Sequence, residues 1–233
     1  MKTIVLYGLR RSGNHFVISN ILNQFTNSVH INDCRNFSFD EYQKHKNIPI
    51  TKHSIDHTFT GFSGCDCIFI SVESSKVNYS ELNKFQNIND FHPILLLRNP
   101  YHNISSAWKI YTEGNKPKSI THAKRLNEVI NLWPYYAQEY LKNTMHNILY
   151  DEFVNSIEYR KSIFNILGIQ IKENDNIAKI KWQKSSFNNQ VNVAKTYGEL
   201  KDSVFYGETK YMNIFNDPSF EVLWNKVINK SCT

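Results

Sequence analysis

Apolar positions along the chain follow two periods. Thr3–Gly8 (TIVLYG) is a short, continuous, β-branched run closed by glycine, the pattern of a strand buried on both faces. From Asn14 to Phe25 the apolar residues Phe16, Val17, Ile21, Leu22 and Phe25 return at helical spacing. Further apolar runs predict strands at Ile48–Thr51 (IPIT), Cys67–Val72 (CIFISV), Pro93–Leu97 (PILLL) and Asn147–Tyr150 (NILY). Helical spacing predicts helices over Ser105–Tyr111, over about His122–Asn143, and over about Glu152–Leu167, the last closed by Gly168. Strands that alternate with helices imply an α/β fold, a central parallel sheet with helices on both faces. The stretch from about 170 to 233 is polar and predicts irregular structure with short helices. No repeat or linker divides the chain, so 1–233 reads as one domain.

Parallel sheets bind ligands outside the carboxyl ends of their strands. Gly8–His15, Ser71–Glu73 and Arg98–Pro100 fall there. The first of these, GLRRSGNH, has a glycine at each end of a four-residue interval and lies between a strand and a helix, as a phosphate-binding loop does. Backbone N–H groups over 10–15 and the positive end of the following helix suit an anion. Arg10 and Arg11 supply positive charge where a nucleotide hydrolase has its lysine, and Ser12 and Asn14 supply hydrogen-bond donors. No Ser or Thr stands where such a hydrolase holds magnesium; Asn14 and His15 follow Gly13 instead. The expected ligand is therefore an anion bound without a metal. A second anion site is expected in LLLRNPYHNISSAW, where a turn at Asn99-Pro100 can fold Arg98 and Ser106 onto one spot.

Composition narrows the partners. Lys and Arg number 27 against 21 Asp and Glu, a net charge of +6 with a pI near 9.0, which favours an anionic ligand. The 13 Tyr and 15 Phe are scattered at core spacing rather than gathered with basic residues, so nucleic acid ranks low. Cys34, Cys65, Cys67 and Cys232 lack zinc spacing and read as free thiols of a reducing compartment. No apolar window reaches the roughly 20 residues of a membrane span, and Ile4–Leu6 is too short for a secretory signal. A cytoplasmic protein is expected.

The two anion motifs together resemble those of sulfotransferases. GLRRSGNH resembles the family's 5′-phosphosulfate loop, and RNPYHNISS resembles its 3′-phosphate motif, with Arg98 and Ser106 at the family's spacing. LYDEFVNSIEYRKSIFNILGI resembles the family's Tyr-Glu-Asp-Leu segment and the helix after it. The resemblance implies a three-layer, P-loop-type fold that takes 3′-phosphoadenosine 5′-phosphosulfate (PAPS) as sulfuryl donor and releases adenosine 3′,5′-bisphosphate (PAP), with no metal. By position it implies Arg11, Ser12, Gly13, Asn14 and His15 around the 5′-phosphate, Arg98 and Ser106 at the 3′-phosphate, and Tyr150 near the nucleotide. Arg11 would neutralise charge on the bridging oxygen. His53, in ITKHSID, is the first choice of general base, followed by Glu73 and His15. The family's C-terminal Arg-Lys-Gly signature is absent. WQKSSFNNQVNVAKTYG stands in for it as an expected flap, with Ser185, Ser186, Lys195 and Tyr197 as its contacts. The acceptor carries a hydroxyl or amine on a sugar, peptide or small molecule, with specificity in loops 30–62 and 112–121. Two other readings stay open: a kinase-like P-loop transferase, and a non-catalytic nucleotide or polyanion binder.

Overall fold

The computed structural model describes residues 1–35, 38–46, 61–113, 116–172 and 217–231. Its centre is a five-stranded sheet built from β1 (Lys2–Gly8), β2 (Ser28–Ile31), β3 (Cys67–Glu73), β4 (Phe91–Leu97) and β7 (His146–Leu149), in the order β2-β3-β1-β4-β7. Every pair in this sheet is parallel. The register aligns the strand ends: Gly8 faces Glu73 on one side and Leu96 on the other, and Leu97 faces Leu149. The loops after β1, β3, β4 and β7 thus open at one edge.

Alternate residues of the central strands enter two separate cores, as the strand period requires. Ile4 and Leu6 pack with α1 (Asn14–Leu22), α6 (Tyr150–Asn155) and α7 (Ile157–Ile166). Val5 and Tyr7 pack on the other face with α2 (Phe39–His45), α3 (Tyr79–Phe85), α4 (Pro100–Tyr111) and α5 (Ile120–Lys142). The helix Pro218–Ser231, here α8, lies on α5, with the ring of Trp133 5.5 Å from Phe220 and 6.3 Å from Trp224. A two-stranded antiparallel ribbon, β5 (Thr112–Glu113) and β6 (Lys116–Pro117), links α4 to α5.

The structure departs from the expected elements at several places, adding helices α2 and α3 and the β5–β6 ribbon where none was expected. β2 is SVHI, a half-buried edge strand; the IPIT segment lies outside the described residues. α4 begins at Pro100, five residues before the expected start, because the Asn99 side chain accepts from the Tyr101 N–H and Pro100 sits at the first turn. The single helix expected over 152–167 is two. Ser156 is extended, and its Oγ accepts from the N–H of Tyr159 to start α7. Within the C-terminal stretch expected to be irregular, α8 is a 14-residue helix. Pro93 fits inside β4 because pairing with β7 starts only at Ile94.

Candidate active site

The loop after β1 is knotted by its own side chains. Ser12 Oγ lies 2.6 Å from the Leu9 carbonyl and 2.7 Å from Asn14 Oδ1, and Asn14 Nδ2 donates to Leu9 O and to Glu73 Oε1. Ser12 and Asn14 are buried, so they shape the loop from within rather than reach out of it. Gly8 admits this close approach: a Cβ there would stand 2.2 Å from Asn14 Oδ1. Gly13 carries φ +94°, and a Cβ on it would stand 2.0 Å from a ring carbon of Tyr150. Arg11 also has a left-handed backbone, at φ 68°. Helix α1 has no side-chain cap, and among the described residues the N–H groups of 13–15 donate to no protein acceptor. Free backbone N–H groups beside the positive end of a helix are an arrangement that suits an anion.

The two motifs, far apart in sequence, meet here. Arg98 Nη1 donates to the carbonyl of Arg11 at 2.9 Å, and Arg11 Nε donates to Ser106 Oγ at 3.3 Å. The Arg98 guanidinium lies over the Tyr150 ring, 4.7 Å from its centre. Arg98 makes no ion pair among the described residues, and its Nε is buried without a partner. Burial, joined by the charge of Arg98, holds the Arg11 guanidinium below its usual pKa, against the opposing pull of Tyr111 and Glu73. A bound anion would relieve both cations. Burial pushes the Tyr150 hydroxyl up, so it stays protonated.

Arg98 and α4 are held in place from below. Trp133 Nε1 on α5 donates to the Arg98 carbonyl at 2.9 Å. Asn103 is fully buried and donates to the Arg10 carbonyl, which ties α4 to the loop. Asp151 accepts the Asn99 N–H at 3.0 Å and sits 3.1 Å from His102 Nδ1. Burial alone would raise the Asp151 carboxyl. Its hydrogen bond to His102, the charges of His102 and Arg98, and the Asn99 N–H together hold it below the usual value.

Arg10 was expected beside the anion, but its side chain turns elsewhere. It is surrounded by Asp33, Glu73 and Glu128, and Arg35 joins Asp33 and Glu128 on the outer side. Glu73, a candidate base, spends one oxygen on Asn14 and has the other 3.8 Å from Arg10 Nε. His15 is exposed at the start of α1, its ring 6.1 Å from that of His30. His53, Ser185, Ser186, Lys195 and Tyr197 lie outside the described residues. The structure thus brings Arg11, Gly13, Arg98, Ser106 and Tyr150 together and sets Arg10 apart. Sequence reasoning did not single out Asn103 or Asp151, although both lie inside the motifs RNPYHNISS and LYDEF. Asp33 and Glu128 carry no local signal.

The architecture is the α/β fold of the sulfotransferases. The chain is similar in structure to the mouse sulfotransferase SULT7A1 complexed with PAP, with TM-score 0.57 and 16% identity, over 97% of this chain and 89% of that one. It is also similar to a sulfotransferase from Alicyclobacillus acidocaldarius, with TM-score 0.51 and 13% identity, over 97% and 96%. At these identities the likeness is one of fold. No protein-family model matches the sequence, and no curated protein does either.

Proposed function

We propose that the protein is a PAPS-dependent sulfotransferase. The observation that carries this is the convergence of Arg11, Arg98 and Ser106 beside an uncapped helix start, with an Arg98 Nε that is buried and unpartnered. One anion fits the loop and α1 N-terminus, and a second fits Arg98 and Ser106. A nucleotide with phosphates at both its 5′ and 3′ positions supplies that pair, and Tyr150 and Gly13 form the wall between them.

In this reading the acceptor oxygen attacks sulfur in line. A bond from sulfur to the acceptor forms as the bond to the 5′-phosphate oxygen breaks, and PAP leaves. Arg11 offsets the charge that gathers on the bridging oxygen. The acceptor's proton goes to a general base, for which we propose His53. Glu73 is the weaker choice, because one of its oxygens accepts from the Asn14 side chain and the other lies beside Arg10 Nε. The test of the reading is calorimetric titration with PAP, with and without magnesium, against ATP with magnesium. Micromolar binding of PAP that ignores magnesium supports it. Binding of ATP with magnesium, and none of PAP, overturns it in favour of a kinase-like transferase.

A further inference from the structure

Arg98 stands just past the end of β4, and the peptide group that joins it to Asn99 is held at both ends. Trp133 Nε1 donates to the carbonyl of that group at 2.9 Å, and Asp151 Oδ2 accepts its N–H at 3.0 Å. In a trans peptide the two groups point in opposite directions, so the pair of contacts fixes the plane from which the Arg98 side chain departs. The far end of that side chain is fixed by the residue next to Asp151: the Tyr150 ring lies against the guanidinium, 4.7 Å from its centre. Asp151 itself spends both oxygens away from the guanidinium. Its Oδ1 lies 3.1 Å from Nδ1 of His102, about one helical turn beyond Arg98. His102 is buried and its Nε2 has no partner, so Asp151 is the one hydrogen-bond partner of this ring among the described residues. Starting α4 does not require the carboxylate, because the Asn99 side chain already accepts from the Tyr101 N–H. Asp151 thus grips the base of Arg98 from two points and leaves its charge unpaired.

Resting on the sulfotransferase reading above, we propose that Asp151 is a positioning residue that sets the preference for a nucleotide with a 3′-phosphate. It acts through Arg98 and does not touch the ligand. By holding the Asn99 N–H and His102 together, it keeps the Arg98–Asn99 peptide and the first turn of α4 in one arrangement, with the guanidinium on Tyr150. Two acceptor oxygens at one position are what the task needs. In Asp151→Asn the amide oxygen can still accept the Asn99 N–H, and the amide N–H can meet His102 Nδ1 in its other tautomer. In Asp151→Ala both contacts are lost, and Arg98 is held at its carbonyl and guanidinium alone.

The test is a mutant cycle read by calorimetric titration with PAP and with adenosine 5′-monophosphate, with a cooperative urea transition to show that each variant is folded. Misplacing the charge-assisted contact predicts that Asp151→Ala lowers the preference for PAP over the monophosphate about tenfold. Asp151→Asn should keep that preference within about threefold of wild type, because it keeps both contacts. In an Arg98→Ala background, where there is no guanidinium to place, adding Asp151→Ala should change the preference by less than about twofold. Should Asp151→Ala not fold, His102→Phe, which removes one of the two contacts, takes its place in the cycle. An unchanged preference in Asp151→Ala, equal weakening of both ligands, or effects of Asp151→Ala and Arg98→Ala that simply add would each overturn the proposal. So would an equal loss in Asp151→Asn and Asp151→Ala, which would assign the effect to the charge of the carboxylate. The sulfotransferase reading fails separately, if wild type itself binds no PAP.

Discussion

Gly13 shows how much one position decides. Its φ of +94° lies in the left-handed region, and any Cβ would strike the Tyr150 ring at 2.0 Å. Tyr150 in turn carries the Arg98 guanidinium on its face. Gly13→Ala therefore strains the backbone and displaces the ring that supports the second arginine. The expected loss of stability is roughly 2–4 kcal/mol, read as a lower denaturant midpoint, and PAP affinity should fall at least about tenfold. A variant with wild-type stability and affinity would show that Tyr150 does not need this contact. Arg10 makes the opposite point. Its position in the loop motif suggests an anion ligand, yet Asp33 and Glu128, 23 and 118 residues away in sequence, surround it. Local spacing marks which residues enter a loop, but the partners that neutralise a side chain come from the whole fold.

Elements buried on both faces were legible in the sequence, and half-exposed ones were not. β1, β3 and β4 are continuous apolar runs and fall where the pattern puts them. β2 is four residues long, half-buried and polar at Ser28 and His30, so period and hydropathy both miss it. The break between α6 and α7 rests on one serine at a position where a polar residue fits a continuous helix equally well. The early start of α4 was legible, because Asn-Pro is a cap followed by a first-turn proline, a signal stronger than the apolar spacing of 105–111. The hidden strand β2 also has a testable property. Burial, helped by the charge of His15, lowers the pKa of His30 from 6.5 to about 4. The unfolded chain therefore takes up this proton first as the pH falls. This contribution to stability is complete above pH 6.5, is lost between 6.5 and 4, and changes no further below. The fall amounts to at most about 3 kcal/mol. Urea unfolding at pH 7 and 4.5 should show a smaller fall for His30→Gln, which can still bond Ser71. Parallel falls in both proteins would assign the pH dependence elsewhere.

For the whole molecule, function follows from how the sheet is ordered. β1 is flanked by β3 and β4, so the ends of both neighbours open beside its loop. The β3 side brings Glu73 and, from further out, Asp33 and Arg35. The β4 and β7 side brings Arg98, Ser106, Tyr150 and Asp151. Charge is thereby sorted about the loop: carboxylates gather on one side around Arg10, while Arg98 on the other makes no ion pair among the described residues. The Arg98 guanidinium stands at the site with no carboxylate paired to it among the described residues. The central claim is that Arg98 and Ser106 hold the 3′-phosphate of a nucleotide whose 5′ end lies in the loop. The most direct measurement is calorimetric titration of wild type and Arg98→Ala with PAP and with adenosine 5′-monophosphate, which differ only in that phosphate. Because Arg98 also steadies the Arg11 carbonyl, the variant can weaken both ligands. The account predicts that the preference for PAP over the monophosphate falls at least about tenfold, the loss of a charge-assisted contact. A preference unchanged in Arg98→Ala would contradict it.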